Sequence, residues 1–317
     1  MEHKLIVASS PHVRTGETVR STMLHVIIAL APAGAMGIYT FGLRAALLIA
    51  VCVLSAVLAE AGFQKARRRP VTVNDLSAVV TGILLAYNVT PTLPLWMAAV
   101  GTIFAIVVGK QVFGGLGFNF INPALAGRAF LMAAYTQAMT SWAAPGADAV
   151  STATPLGIIK LGAAEGISPD ALPSLTDVFL GSIGGCIGET SALLLILGGV
   201  YLIWRGVIRI HVPAVYIGTV AVLTLLFTGG DLGMTVYQLM AGGLMLGALF
   251  MATDYSSSPI TYKGQLLFAL GCGVITSVIR FYGGYPEGVS YSILIMNVCT
   301  PLIEKYTAPR VFGGGKA

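Results

Sequence analysis

Asp148, Ser151, Thr152 and Thr154 bring one carboxylate and three hydroxyls together in the stretch DAVSTATPLG, residues 148–157. A hydroxyl on an accessible segment can accept a phosphoryl group. It can equally cap a helix, and Thr154 followed by Pro155 has the order of a cap and a first helical residue. The stretch therefore admits four readings: a capped outer loop, a patch for glycosylation or phosphorylation, a transporter's substrate gate, or a covalent attachment site.

Other candidates are charges and amides set in apolar surroundings. In NPALAGRAF, Asn122 and Pro123 have the types of an N-cap and first helical residue, or of a helix N-terminus aimed at an anion such as a flavin phosphate. Arg128 follows about one and a half turns later inside an apolar helix, where a charge is expensive and marks a site or a buried pair. Its expected partner is a carboxylate or a ligand. Glu17 and Glu189 stand at the starts of helices, as caps or as ligand contacts. His25, within an apolar run, is read as a packing or helix–helix hydrogen-bonding residue, and His211 as a water-facing one. Asp254 and Glu304 lie near span ends, where interfacial water would solvate them. Cys52, Cys186, Cys272 and Cys299 each stand alone in an apolar segment, so they read as small hydrophobes; a metal cluster would need ligands from another subunit. No phosphate-binding P-loop, paired-histidine zinc motif or dinucleotide fingerprint appears in its fold context, so NAD or ATP binding is not expected of this chain.

These residues must be held by membrane helices. Of 317 residues 56% are hydrophobic and only 10% charged, far below the roughly 25% charged of soluble domains. The net charge of +5 then bears on orientation, not on nucleic acid, for which no partner role is expected. Apolar segments at 21–39, 42–63, 76–92, 94–109, 121–141, 178–206, 212–230, 236–253, 264–282 and 287–304 read as transmembrane spans. The sixth is too long for one crossing, and GSIGGCIGE predicts a break near Gly184 and Gly185. The N-terminal stretch lacks a signal peptide's apolar core, so insertion without cleavage is expected. QKARRRP at 64–70 places that loop, and with it both termini, on the cytoplasmic side. Segment 142–177, carrying Asp148, Glu165, Asp170 and Asp177 against Lys160 alone, falls on the outer face. Arg44 and Arg280 break the pattern and are expected to snorkel or line a polar interior.

The chain also resembles itself. Gly16-Glu17-Thr18 matches Gly188-Glu189-Thr190, GILLAYNVTPTLP (82–94) matches GALFMATDYSSSP (247–259), and GKQVFGGLGFNF (109–120) matches SVIRFYGGYPEG (277–288), in order and at similar offsets. Five spans per half force the second half to enter from the opposite side, which predicts two inverted five-helix repeats with broken or re-entrant segments. The expected organisation is a first repeat at 1–145, an outer-face loop at 146–177 and a second repeat at 178–317.

DAVSTAT fits D-x-x-[ST]-x-A-[ST], the pattern at which a flavin transferase of the ApbE type joins FMN to a hydroxyl by a phosphoester. Together with SPHVRTGETVRSTMLHVIIALAP, NPALAGRAFL, GSIGGCIGETSALLLILGG and MATDYSSSPIT, it resembles the family of the D subunit of the Rnf complex and the B subunit of the sodium-pumping NADH:quinone oxidoreductase. The short polar N-terminus is more similar to the Rnf member. The resemblance, covering about residues 10–305, implies an electron-transfer subunit of a Na⁺- or H⁺-pumping ferredoxin:NAD oxidoreductase in a bacterial or archaeal inner membrane. It implies covalent FMN on Thr154, with Asp148, Ser151 and Ala153 completing the motif. Thr152 stands where relatives more often carry glycine or alanine, which makes it the rival acceptor. A second, non-covalent flavin such as riboflavin is implied within the bundle, and Arg128, Asn122 and Glu189 are its candidate contacts. The implied partners are an FMN-bearing G subunit, the membrane A and E subunits, and the transferase. A transporter or channel of the urea or ammonium type is the alternative, since inverted five-span repeats serve those proteins too; a purely structural scaffold would make the motif incidental.

Overall fold

The computed structural model describes residues 16–142, 154–165 and 172–309, without the side chains of 161–165. Among them are fourteen α-helices and no strands. Asp148, Ser151, Thr152 and Ala153 lie outside the described residues.

The first half opens with α1 (Val19–Phe41) and α2 (Leu43–Ala66). Thr18 caps α1 by accepting the Ser21 N–H at 3.1 Å, and Gly42, at φ 71°, turns the chain into α2. On α2 the buried residues are Ala45, Leu48, Cys52, Ala56, Glu60 and Gln64, a stripe at three- and four-residue spacing. Leu47, Leu54 and Leu58 on its other faces are 46%, 60% and 69% exposed. In water that arrangement would be unfavourable; in lipid it is what a spanning helix presents, with small residues packed inward.

Helix α3 (Ser77–Tyr87) is short, and the chain breaks at 88–94 before α4 (Leu95–Ile106). Helix α4 continues into a π-turn, Val107–Gln111, in which the Val112 N–H reaches back to the Val107 carbonyl at 2.9 Å. Then come α5 (Pro123–Ala134) and a single turn, α6 (Thr136–Met139). Past α7 (Pro155–Glu165) and α8 (Leu175–Leu180), the expected break occupies 181–191, and α9 (Ala192–Trp204) follows. The second half continues with α10 (His211–Phe227), α11 (Leu232–Met240) and α12 (Leu244–Leu246), the last prolonged by a π-turn, Gly247–Met251. It closes with α13 (Tyr262–Tyr282) and α14 (Val289–Thr307).

All ten apolar segments contain helix, but only α1, α2 and α13 are single helices long and apolar enough to cross a membrane. The stretches Leu232–Met240 and Leu244–Met251, bent by 63°, would make a fourth crossing together. The others are shorter pieces joined at breaks. Before the 143–153 stretch α2 lies on α3 and α4, and α4 on α5; after residue 172 α10 lies on α11 and α13, and α13 on α14. Across the halves α1 packs on α9 and α5 on α14.

Candidate functional site

Buried charge gathers where helices break. The segment 181–191 runs alongside the break after α3, with Gly188 N–H donating to the Tyr87 carbonyl at 3.0 Å and Ile187 N–H to Val89 at 3.2 Å. A Cβ on Gly188 would run into the Tyr87 side chain, so only glycine permits this approach. The crossing brings Glu189 against Arg128 of α5.

Arg128 is 5% exposed and satisfied from three sides. Its Nη1 donates to Asn88 Oδ1 at 2.7 Å and to Glu189 Oε1 at 3.4 Å, and its Nη2 bonds Glu287 in the turn before α14. Asn88 is oriented by donating its own amide to the Leu84 carbonyl at 2.7 Å, which leaves its oxygen for the guanidinium. Cys186 completes the group; its sulfur and the Glu189 and Glu287 oxygens lie within 4.8 Å of one another. Arg128 already holds both carboxyl groups, so the arrangement is a buried cluster of two acidic side chains on one basic one. Nearby on α13, Arg280 donates to the carbonyls of Gln238 at 2.5 Å and Ala241 at 3.3 Å, and among the described residues its Nε has no partner. It lines a polar interior, as its position in an apolar run implied. Arg44 instead stays exposed and donates to the Thr92 carbonyl at 2.8 Å.

Thr154 is 5% exposed and caps α7, its Oγ1 accepting the Gly157 N–H at 3.1 Å. It lines a cavity of about 10 Å³ together with Ile183, Gly184, Gly185, Glu189, Gly242 and Glu287. The structure thus brings three of the sequence candidates, Thr154, Glu189 and Arg128, into one neighbourhood.

Asn122 belongs elsewhere. Its Oδ1 accepts from the N–H groups of Ala124 at 3.0 Å and Leu125 at 3.3 Å, the helix-start role. It faces a separate cleft lined also by Ser77, Thr81, Lys110, Asn119 and Asp254. Lys110, just past the apolar segment 94–109, is 1% exposed there. It donates to Glu60 at 2.9 and 3.0 Å and to Ser77 Oγ at 2.5 Å, tying α2 to α3 and the π-turn. Gln111 adds a bond to Glu60 at 2.9 Å.

Several single-residue readings change. Glu189 does not cap α9; Ser191 does, at 3.4 Å from the Leu194 N–H, because Glu189 is drawn to Arg128. Glu17 remains an exposed residue at a helix start and accepts from Ser21 Oγ at 3.1 Å. His25 makes the expected interhelical bond, at 2.8 Å to Tyr201 of α9. His211 is half-buried, 2.6 Å from Gln265, and does not simply face water. Half-buried Asp254 accepts from Ser257 Oγ at 2.8 Å, and half-buried Glu304 from the Ile260 N–H at 3.0 Å, so protein groups supply solvation expected from interfacial water. The cysteines are free, with Cys52, Cys186 and Cys272 buried and Cys299 half-buried. Glu60, Lys110 and Glu287 are site residues missed from sequence. Glu60 had a signal, a carboxylate inside the span 42–63; Glu287 had none, since a charge in a turn reads as solvated.

An all-helical, multi-pass membrane protein with ionic clusters at its helix breaks is the class these features define. More narrowly, the chain belongs to the NQR2, RnfD, RnfE family, whose model matches residues 6–313. It is 54% identical to the D subunit of the Na⁺-translocating ferredoxin:NAD⁺ oxidoreductase complex of Acetobacterium woodii, covering 98% of this chain and 96% of that one. It is 48% identical to the D subunit of the proton-translocating ferredoxin:NAD⁺ oxidoreductase complex of Clostridium ljungdahlii, over 97% and 96% of the two chains. Identity to the D subunit of the ion-translocating oxidoreductase complex of Halorhodospira halophila is 38%, over 97% and 95%.

Proposed function

We propose that this chain is the membrane-embedded D subunit of an ion-translocating ferredoxin:NAD oxidoreductase complex, and that it carries FMN covalently on Thr154. Similarity over nearly the whole chain to relatives of that name supports the first part. The observation that carries the second is Thr154 itself: the hydroxyl at the acceptor place of DAVSTAT stands at the start of α7, beside the Arg128 cluster.

The residues fit the group in a particular way. A cavity of about 10 Å³ has room for at most one water, so the flavin ring must lie outside it, tethered through the phosphate. Bound FMN would supply the electron transfer; the chain's own residues supply an anchored oxygen and a fixed start to α7. A tether also holds the cofactor at high effective concentration beside a neighbouring redox subunit. For a second, non-covalent flavin the cleft at Asn122 is the better candidate. Asn119 and Asn122 line it with side-chain amides beside apolar Leu84 and Phe250. Arg128 and Glu189 then act in the neighbourhood of Thr154, holding α5, the 181–191 crossing and the turn before α14 together.

In this reading both termini are cytoplasmic, the 146–177 loop faces outward, and the segments 1–145 and 178–317 are inverted repeats about it. Its partners are the G, A and E subunits and the flavin transferase. The test is a denaturing gel of protein made together with its transferase. Wild type is expected to fluoresce under ultraviolet light, and Thr154→Ala to be dark. A dark wild type would favour the transporter alternative, and a band that survives Thr154→Ala but vanishes in Thr152→Ala would move the acceptor by two residues.

A further inference from the structure

The acceptor hydroxyl is concealed. Thr154 is 5% exposed, and its Oγ1 is engaged by the Gly157 N–H. Beyond it, α7 is seated by two further contacts. Leu156, 3% exposed, packs with Val178, Ile183, Tyr237 and Ala241. Lys160 Nζ donates to the carbonyls of Ile279 and Tyr285, each at 2.8 Å, fastening α7 to the end of α13 and the turn after it.

Flavin transfer needs more room than this. Thr154 Oγ must attack the FMN phosphorus of a flavin dinucleotide. The pyrophosphate P–O bond breaks, AMP leaves, the hydroxyl proton passes to solvent, and nothing is oxidised or reduced. An oxygen buried against a cavity of about 10 Å³ offers no line of approach to a phosphorus carrying a riboflavin arm and an AMP leaving group. We infer that α7 is a latch: the transferase modifies the chain only while α7 is undocked, and Lys160 and Leu156 set how often that occurs. The inference rests on Thr154 being the flavin acceptor, but the concealment of residue 154 can be measured without flavin.

Lys160 is the better handle, because its ammonium holds two backbone carbonyls and makes no bond to a side chain of the Arg128 cluster. Full-length protein made without the transferase, in detergent, would be treated with purified transferase, flavin dinucleotide and Mg²⁺. Lys160→Ala is expected to raise the initial rate of fluorescent labelling at least threefold over wild type and leave the final extent unchanged; Leu156→Ala should act in the same direction. In parallel, Thr154→Cys would be exposed to a maleimide and labelling followed at that peptide by mass spectrometry. Labelling should be slow in the otherwise native chain and faster when Lys160→Ala is added. If the introduced cysteine labels as fast in the native chain as in denatured protein, or Lys160→Ala changes neither rate, the latch is wrong. If cysteine labelling obeys the latch while no flavin attaches to Thr154, the latch stands and the attachment reading fails.

Discussion

At the scale of single residues, the decisive feature is a charge count. Arg128 holds two carboxyl groups in a site almost closed to water, so two acids share one guanidinium. Removing one partner of a buried pair leaves an uncompensated charge and costs about 3–5 kcal/mol. Arg128→Met strands both carboxylates and should lose about that much. Glu189→Gln leaves Arg128 one-to-one with Glu287, its closer partner, and should lose much less, while Glu287→Gln leaves only the 3.4 Å contact to Glu189 and should fall between. Thermal unfolding of the purified variants in detergent gives the order; a Glu189→Gln as damaged as Arg128→Met would sink the count. The expense of Arg128 was legible in sequence, because a guanidinium in an apolar helix needs a partner. Which carboxylates supply it was not, since Glu189 and Glu287 lie 61 and 159 residues away along the chain.

At the scale of elements, what matters is where helices stop. Helix α3 ends at Tyr87, and the segment 181–191 runs beside that end through backbone bonds that a helix would have used internally. Glycine at 188 permits the approach. Gly188→Ala must push Tyr87 or the crossing aside, and Tyr87 is itself fixed by donating its hydroxyl to the Leu30 carbonyl at 2.8 Å. Overpacking of this kind costs about 1–3 kcal/mol, and here it would also move Glu189 away from Arg128. Gly188→Ala should therefore lower the melting temperature, and adding Glu189→Gln should cost less in that background than in wild type. Fully additive effects would show that the crossing does not position Glu189. The break itself was legible as GSIGGCIGE, a glycine-rich interruption in an overlong span; its partner at 87–89 was not, because backbone pairing leaves no side-chain signature.

For the whole molecule, the proposed orientation follows from Lys65, Arg67, Arg68 and Arg69 being held on the cytoplasmic side. Arg68, exposed and with φ 54°, lies in the turn after α2. Arg68→Cys should react with a membrane-impermeant maleimide only after cells are permeabilised, whereas Leu175→Cys, exposed at the start of α8, should react in intact cells. Labelling of both in intact cells would overturn the orientation. The sequence alone determined the solvent, the helical class, most helix positions and the break at 181–191, because hydropathy, glycine and proline act locally along the chain. Only the tertiary structure decided that Lys110 meets Glu60, that Arg128 gathers Asn88, Glu189 and Glu287, and that Thr154, at the start of α7, is buried against Ile183, Gly242 and Glu287. Those contacts join segments far apart in sequence, and a buried charge declares its need for a partner without naming it.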